Sequence, residues 1–284
     1  MHHPVGYPPF DVPKPVEDGL WTVDAAPIRA GGLPLPLRMS VIRFLDGGLL
    51  LCSPTRHTPD LQRALEALGP IRHLVAPNVG HWMFLRDWQR ACPDAVTWAA
   101  PGLRDRTQVR AAGVRIDHDL GPVAPAAWRD QVEQVLVLAP LFAEVALFHR
   151  ASRTLIVTDL VLNLEGQGLP PLRRAIAGGL GILAPDGQAP LYLRLVLKLN
   201  GRAVARAAER LIALAPRRVV MAHGRPFTSD ATAELRRALR GLREGRSGSS
   251  PLAGAAPRAA AVVGAGLLLG VAALRRRRAS RPSP

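Results

Sequence analysis

HLVAPNVGHWMFLRDW, residues 73–88, contains the transition that decides the fold. A short apolar run over residues 71–76 stops at Pro77 and Asn78, and His81 follows within the same loop. An apolar run of this length bounded by turn residues is typical of a buried strand, and the segment 86–93 is typical of a helix. We therefore expect His81 to lie in a polar loop between a buried strand and a helix.

Strands and helices alternate on both sides of this stretch. Apolar runs predict strands at residues 20–24, 38–44, 95–101, 133–140, 144–149, 153–159 and 217–224. Helical periodicity and capping residues predict helices at residues 60–69, 192–214 and 229–243, the second interrupted near Asn200. An Asp-Gly-Gly turn at residues 46–48 predicts an early hairpin. The pattern indicates mixed α/β layers.

Composition excludes several classes of protein. The chain has 284 residues, of which 48% are hydrophobic, so it can bury a sizeable core and is not disordered throughout. Its two cysteines, Cys52 and Cys92, show no CxxC spacing, which favours a reducing compartment over a disulfide framework or a thiolate metal site. The amino-terminal residues lack the apolar segment of a secretory signal.

The net charge of +15 is a weak argument for nucleic-acid binding. Nearly all the positive charge is arginine spread through an Ala-, Gly- and Pro-rich chain, and much of the excess follows Arg236. Neither an aromatic-interleaved basic stripe nor the spacing of a known nucleic-acid motif is present in the sequence. We expect a small-molecule substrate rather than nucleic acid.

Five parts are predicted along the chain. Residues 1–18 are Pro-rich and predict an irregular strap, and residues 19–243 predict the main domain. Residues 244–258 have the composition of a linker, the uncharged run 259–274 is a predicted membrane helix, and residues 275–284 form a basic tail.

The predicted membrane helix implies a membrane-anchored protein whose main domain is cytoplasmic. At ~1.5 Å per residue the run 259–274 would span about 24 Å, short of the ~30 Å hydrocarbon core. Arginines flank it on both sides, so its orientation stays open, and a helix that lies on the membrane surface is the alternative.

Three predicted strands end in residues that can bind a metal. His81, Asp159 and His223 each follow an apolar run, and the carboxyl ends of strands are where open α/β sheets bind ligands. Two imidazoles and a carboxylate suit Zn, Fe or Mn. Taken singly, each residue is more commonly a cap, a turn residue or a structural histidine.

The order of these elements resembles the metallo-β-lactamase fold, an αββα sandwich. More closely, APNVGH at 76–81, FHRASRTLIVTDL at 148–160 and AHG at 222–224 resemble the DUF4336 proteins, a branch of that superfamily. The resemblance covers roughly residues 18–243, and we identify the chain as a member of this branch, with a hydrophobic helix added at the carboxyl end.

The resemblance also implies roles for individual residues. Asp159 corresponds to the bridging aspartate of the superfamily and is the predicted catalytic residue, and His223 corresponds to its last histidine. The first superfamily motif, HxHxDH, is reduced to NVGHWM, which retains His81 and puts Asn78 in a supporting position. The middle histidine has no match. Glu144 is the nearest donor.

Glu144 and His149 have opposite parity in one predicted strand, so they should face opposite sides of it. Glu144 is the preferred ligand, and His149, next to the turn at residues 150–153, is expected at the surface or in a supporting role. Three or four donors suit one ion with an open position, and they are also few enough for a site without metal.

Two functions from different classes follow. The first is a hydrolase with a mononuclear site at His81, Asp159 and His223, acting on an ester, a lactone or a phosphoester. The second is a non-catalytic binding or scaffold protein that kept the fold, for which the depleted first motif is the evidence. A nucleic-acid-processing relative is a third and weaker reading, because only the charge supports it.

Overall fold

The computed structural model describes residues 5–243 of the chain. Its strands are β1 (Pro13–Glu17), β2 (Leu20–Ala30), β3 (Leu33–Arg43), β4 (Leu49–Cys52), β5 (Ile71–Ala76), β6 (Val96–Ala99), β7 (His118–Asp119), β8 (Val132–Ala139), β9 (Phe142–His149), β10 (Thr154–Val157) and β11 (Arg218–Met221). Its helices are α1 (Pro59–Glu66), α2 (Leu85–Ala91), α3 (Thr107–Ala111), α4 (Pro171–Leu180), α5 (Leu191–Lys198), α6 (Gly201–Ala213), α7 (Ala231–Ala238) and α8 (Arg240–Arg243).

The strands form two sheets. The first has seven strands in the order β1 to β7, antiparallel as far as β4 and parallel from β4 to β7. The second has four strands in the order β11-β10-β9-β8, with one parallel pair between β10 and β11. Parallel pairing brings the carboxyl ends of β4, β5 and β6 to one edge, and those of β10 and β11 to another.

The two sheets pack against each other through alternate residues of their strands. Leu50 of β4 and Val75 of β5 share one buried cluster with Val145 of β9 and Ile156 of β10, and this cluster contains no helical residue. A larger cluster joins the other faces of the sheets to the helices. Leu51, which follows Leu50 in β4, belongs to this larger cluster. Period-two alternation therefore separates the inter-sheet layer from the layers beneath the helices.

These layers match the predicted α/β sandwich, and the structure differs from the sequence prediction at its amino-terminal edge. The strap predicted over residues 1–18 is not irregular throughout, because Pro13–Glu17 forms β1 and pairs with β2. An edge strand tolerates Pro13 and Pro15, since a proline there withholds an N–H from solvent rather than from a central ladder.

The predicted hydrophobic helix at residues 259–274, its linker 244–258 and the basic tail 275–284 lie outside the described residues. Within residues 5–243 no helix is long and apolar enough to cross a bilayer.

The loop after β5 passes from the first sheet to the second. Asn78 forms an isolated antiparallel bridge with Glu144 of β9, and the backbone N–H of Val145 donates to the carbonyl of Pro77 at 2.8 Å. This crossing brings the end of β5 beside the ends of β10 and β11. It places the residues that follow all three strands in one region.

Candidate metal centre

His81, Asp159 and His223 converge at this junction. One ligand atom from each residue lies within 4.8 Å of the others. The Nε2 atoms of His81 and His223 lie 3.4 Å and 3.3 Å from the same oxygen, Asp159 Oδ1. The structure therefore brings together the three strand-end residues that the sequence singled out.

Asn78 holds the loop that carries His81. Its Oδ1 accepts hydrogen bonds from the backbone N–H groups of Gly80 at 2.7 Å and His81 at 3.1 Å. This is an Asx-type turn, in which a side-chain amide replaces a backbone carbonyl. Asn78 is fully buried, so the turn is formed inside the protein rather than at its surface.

The other end of the Asn78 amide holds Asp159. Nδ2 donates to Asp159 Oδ2 at 2.8 Å and to the hydroxyl of Thr158 at 2.9 Å. Oδ2 of the carboxylate is thereby fixed, and Oδ1 is left facing the two histidines. Asn78 therefore contacts both the His81 loop and the Asp159 carboxylate, and its supporting role at a metal site stays a prediction.

Glu144, which the sequence predicted as a ligand, is not part of the group formed by His81, Asp159 and His223. Its carboxylate accepts hydrogen bonds from the backbone N–H groups of Thr158 at 2.7 Å, Asp159 at 2.8 Å and Leu160 at 3.0 Å. These three amides follow β10 and have no ladder partner there, so a buried acceptor satisfies them. Burial, followed by the nearby Asp159 carboxylate, raises the pKa of Glu144.

His223 is held from the first sheet. Its Nδ1 lies 2.7 Å from the carbonyl oxygen of Pro36 in β3. The buried guanidinium of Arg38 donates through Nη1 to the carbonyls of Met221 at 3.0 Å and Gly224 at 2.7 Å, on either side of His223. Nη2 of Arg38 also pairs with the buried carboxylate of Asp24 at 2.9 Å.

Asp159 and His223 favour each other's charged forms. Burial alone would raise the pKa of Asp159, but the adjacent His81 and His223 hold that pKa well below its usual range. Burial alone would lower the pKa of His223, but the hydrogen bond and charge of Asp159 and the Pro36 carbonyl raise it. The site is therefore built around a negative charge that faces two imidazoles.

The hydrogen bonds of His223 indicate a need for a cation at this point. The Pro36 carbonyl accepts only, so the proton of a neutral His223 ring belongs on Nδ1. Its Nε2 lone pair then faces the acceptor Asp159 Oδ1 at 3.3 Å, and only a proton or a metal ion between them relieves that contact. Outer hydrogen bonds also hold the other nitrogen of His81 and the second oxygen of Asp159, as is usual for metal ligands. The residues present fit a single divalent ion.

An apolar cavity of about 140 Å³ opens onto the three residues. Six of its lining side chains form apolar walls: Ile28, Leu35, Leu37, Phe84, Phe142 and Leu193. The lining also includes small polar residues and the three candidate ligands: Ser53, Thr55, His81, Asp159 and His223. A mainly apolar cavity with a few convergent polar groups is the usual form of a small-molecule site.

His149 does not join the cluster, and its expected position at the surface is also wrong. The residue is only 5% exposed, and its Nδ1 lies 2.8 Å from the hydroxyl of Ser152. The turn between β1 and β2 covers it, since Gly19 approaches the ring. Burial lowers the pKa of His149, with the Asp18 charge opposing that shift.

Sequence reasoning missed two residues of the site, Ser53 and Arg38. Ser53 Oγ lies 2.5 Å from His81 Nδ1, directly after β4, so the strand-end argument used for the other residues would have found it. Arg38 gave no such signal, because it lies within β3 and its contacts with the loop after β11 depend on tertiary structure.

Comparison with protein families gives a match over residues 17–175 to the family described as "Domain of unknown function (DUF4336)". The chain belongs to this family. His81 and Asp159 lie within the range matched to DUF4336, and His223 lies beyond it. No curated protein compared with the chain matches it.

Solved structures similar to this DUF4336 protein share the metallo-β-lactamase fold. A metallo-β-lactamase from Pontibacter korlensis is 13% identical with a TM-score of 0.55, the match covering 81% of this chain and 98% of the other. FIM-1 from Pseudomonas aeruginosa, in its mono-zinc form, is 14% identical with a TM-score of 0.52, covering 86% and 98%. The metal-soaked Flv1 flavodiiron core from Synechocystis is 10% identical with a TM-score of 0.58, covering 82% and 62%. At these identities the likeness shows the fold alone, which is the fold that the sequence predicted.

Proposed function

We propose that this protein is a metal-dependent hydrolase with a mononuclear site formed by His81, Asp159 and His223. The observation that carries the proposal is the convergence of two Nε2 atoms on Asp159 Oδ1 while the outer atoms of all three residues are held by other groups. Similar solved structures include a mono-zinc metallo-β-lactamase and a flavodiiron core, which supports Zn or Fe as the ion. Mn suits the same donors.

A single divalent ion at this site would polarise a carbonyl and lower the pKa of bound water toward ~7. The chain itself contributes orientation. Asn78 fixes the carboxylate, the Pro36 carbonyl fixes the tautomer of His223, and Arg38 fixes the loop that carries it. The apolar walls exclude water from one side of the reacting group, which strengthens every charge interaction inside.

The cavity favours an uncharged carboxylic ester or lactone over a phosphoester. Arg38 is the one cationic side chain of the described lining apart from the histidines, and Asp24 already pairs with it. A phosphate group would bring negative charge beside Asp159 without a free cation to offset it. We therefore place an apolar acyl ester or lactone first among the substrate classes.

Metal analysis tests the proposal. Full-length protein purified without chelator should contain close to one equivalent of Zn, Fe or Mn, and His223→Ala should contain less than about a tenth of that, since two donors seldom hold such an ion. His118→Ala, in β7 and exposed, is the matched control and should keep its metal. Wild-type protein that is stable and metal-free after addition of each ion would contradict the proposal.

The second candidate is a binding protein that kept the fold without the reaction. Backbone N–H groups donate to the Glu144 carboxylate, which leaves three metal-ligand residues in the described site, and this favours the binding protein. Under this reading Asp159→Asn lowers no hydrolytic rate. Loss of ester or lactone hydrolysis in Asp159→Asn relative to metal-loaded wild type, with the fold of the variant intact by circular dichroism, would exclude it.

A further inference from the structure

Helices α4 and α5 carry most of the exposed large apolar side chains in residues 5–243. Eleven such side chains are exposed there, and six of them belong to these two helices or to the residue that ends α5. The six are Leu172, Ile176, Leu191, Tyr192, Leu195 and Leu199. Single exposed leucines are ordinary, whereas a concentration of this kind indicates a surface that binds a partner.

The exposed side of α5 is a continuous apolar stripe. Leu191, Leu195 and Leu199 recur every four residues, so they lie on one side of the helix, and we call them the α5 stripe. The opposite side of α5 is buried in the core. A helix that is apolar on both sides is normally covered on both. The α5 stripe therefore lacks its expected partner within the described residues.

Basic residues border the α5 stripe. Residues 171–202 contain five arginines and lysines but only one acidic residue, Asp186, which pairs with Arg237 at 3.4 Å. In the described part of the chain none of the five basic side chains pairs with a carboxylate. Lys198 and Arg202 each follow a leucine of the stripe by three residues, and both are exposed. The border of the stripe is therefore positively charged.

The cavity beside the candidate metal centre reaches the surface next to the α5 stripe. Tyr192 is exposed on α5 and also lines the cavity. Leu141, exposed in the turn between β8 and β9, directly precedes Phe142, another lining residue. The side-chain amide of Asn200 donates to the carbonyl of Leu138 at 2.8 Å, which holds this turn against the end of α5. A molecule that arrives at the stripe is therefore close to the cavity.

We propose that the α5 stripe and its basic border form a docking surface for an anionic lipid bilayer. The leucines enter the boundary between headgroups and acyl chains, while Lys198 and Arg202 contact lipid phosphates. Lysine and arginine suit this position, because their stems are apolar and only their ends are charged. The docked cavity receives uncharged apolar molecules from the lipid.

Charge favours a bilayer over the apolar surfaces that this chain itself offers. A second copy would bring the same basic border against the first, and the uncharged run 259–274 is followed by Arg275 to Arg278. Either partner would place like charges together. An anionic bilayer supplies the opposite charge instead.

The stripe is short, so it acts together with the membrane run predicted at residues 259–274 rather than alone. Stable attachment commonly takes two membrane contacts, and the first raises the local concentration for the second. This surface belongs to the described domain and goes beyond the proposed hydrolysis, on which it does not rest.

Full-length protein labelled with the fluorophore NBD tests the proposal. Leu195→Cys places the label in the middle of the α5 stripe, in a Cys92→Ser background, since the other cysteine, Cys52, is buried. On vesicles of phosphatidylcholine and phosphatidylserine the fluorescence should rise at least about threefold, and nitroxide-labelled lipid should quench it. Leu199→Cys should repeat both results one turn later.

Leu45→Cys in the same background is the matched control. Leu45 is 93% exposed, and its N–H donates to Gln131 Oε1 at 2.8 Å. Gln131 precedes β8, whereas the stripe adjoins the other end of that strand, where Asn200 bonds Leu138. A label at position 45 should therefore neither brighten nor be quenched.

The charged border has its own test. Lys198→Gln combined with Arg202→Gln should reduce the quenching at position 195 at least about twofold on anionic vesicles, because each basic residue adds affinity for anionic lipid. Arg129→Gln, exposed and distant in sequence from the stripe, removes one positive charge and should leave the quenching unchanged.

Three outcomes would overturn the proposal. A label at position 195 that is bright before vesicles are added and is not quenched by nitroxide lipid would show that the carboxyl-terminal residues or a second copy covers the stripe. Equal quenching at positions 195 and 45, or none at position 195, would show that lipid makes no special contact with α5. The measurement uses neither substrate nor added metal, so its failure is distinguishable from failure of the metal proposal.

Discussion

Gly224 follows His223 directly and lies where no side chain fits. Its φ is +112°, and an added Cβ would lie 2.2 Å from the carbonyl oxygen of Asn163. Asn163 is fully buried, and its backbone bonds both neighbours of Gly224, donating to His223 O at 3.0 Å and accepting from Arg225 N at 2.8 Å. Close backbone approach, rather than chemistry, therefore requires this glycine.

Gly224→Ala should destabilise the protein by about 2 kcal/mol or more, from the strained φ together with the clash. Urea unfolding of metal-free protein measures the change. Gly179→Ala is the control, because Gly179 lies in α4 with no atom within 4 Å of the added Cβ, and there alanine should raise stability by about 0.5–1 kcal/mol. Equal effects of the two substitutions would contradict the packing argument.

His149 should make stability depend on pH. Burial depresses its pKa below the ordinary value of 6.5, so the unfolded chain binds this proton first. The free energy of unfolding should therefore fall as the pH drops through 6.5, at no more than about 1.4 kcal/mol per pH unit for one proton.

Replacing His149 with Gln should flatten that dependence, and urea midpoints between pH 8 and pH 5, compared with the wild type, measure it. His73 has a pKa shift of the same sign and His223 one of the opposite sign, but both remain in the variant and cancel in the difference. Parallel curves for the two proteins would show that the buried ring of His149 does not carry the effect.

At the scale of elements, Glu144 of β9 serves the chain after β10. Its carboxylate accepts three backbone N–H groups in succession, and the Asn78 bridge reaches it from the first sheet. The residue thus joins the two sheets at the edge where the site lies. Its contribution is structural, and it positions Asp159 through the amide of Asp159 itself.

Glu144→Gln should cost about 2–4 kcal/mol of stability, because one acceptor oxygen is replaced by an amide that points donors at backbone donors. Glu133→Gln in β8 is the control. Glu133 is partly exposed and pairs with Arg150 and Arg210, so its loss should cost under about 1 kcal/mol. Unchanged stability of Glu144→Gln with loss of metal would instead restore Glu144 as a ligand.

The same elements show which site residues can be predicted from the sequence. An apolar run followed by a polar residue identifies a strand end locally, and this found His81, Asp159 and His223. The use of Glu144 and the burial of His149 depend on partners that are distant in sequence, the amides after β10 and the turn at Gly19. Parity correctly put Glu144 and His149 on different sides of β9, but it does not identify the groups that each side chain contacts.

At the scale of the whole molecule, the described domain and the carboxyl-terminal tail support different parts of the proposed function. Residues 5–243 place an apolar cavity beside the candidate metal centre. The uncharged run 259–274 and Arg275 to Arg278 are known only from sequence, and they favour a membrane as the partner of the full-length chain. An apolar ester or lactone would itself partition toward a membrane, so a tether and an apolar cavity are consistent with one substrate class.

We predict that the full-length protein sediments with membranes and that a chain ending at Gly248 does not. The run 259–274 carries no charge, so its transfer from water should drive binding, and the arginines after it should add affinity for anionic lipid. Fractions washed with 1 M salt and then with detergent separate the two modes. Release by salt would indicate a helix on the membrane surface, and release only by detergent a helix that spans the membrane. A full-length protein that stays in the supernatant, with folded Gly248-terminated protein as its control, would exclude both.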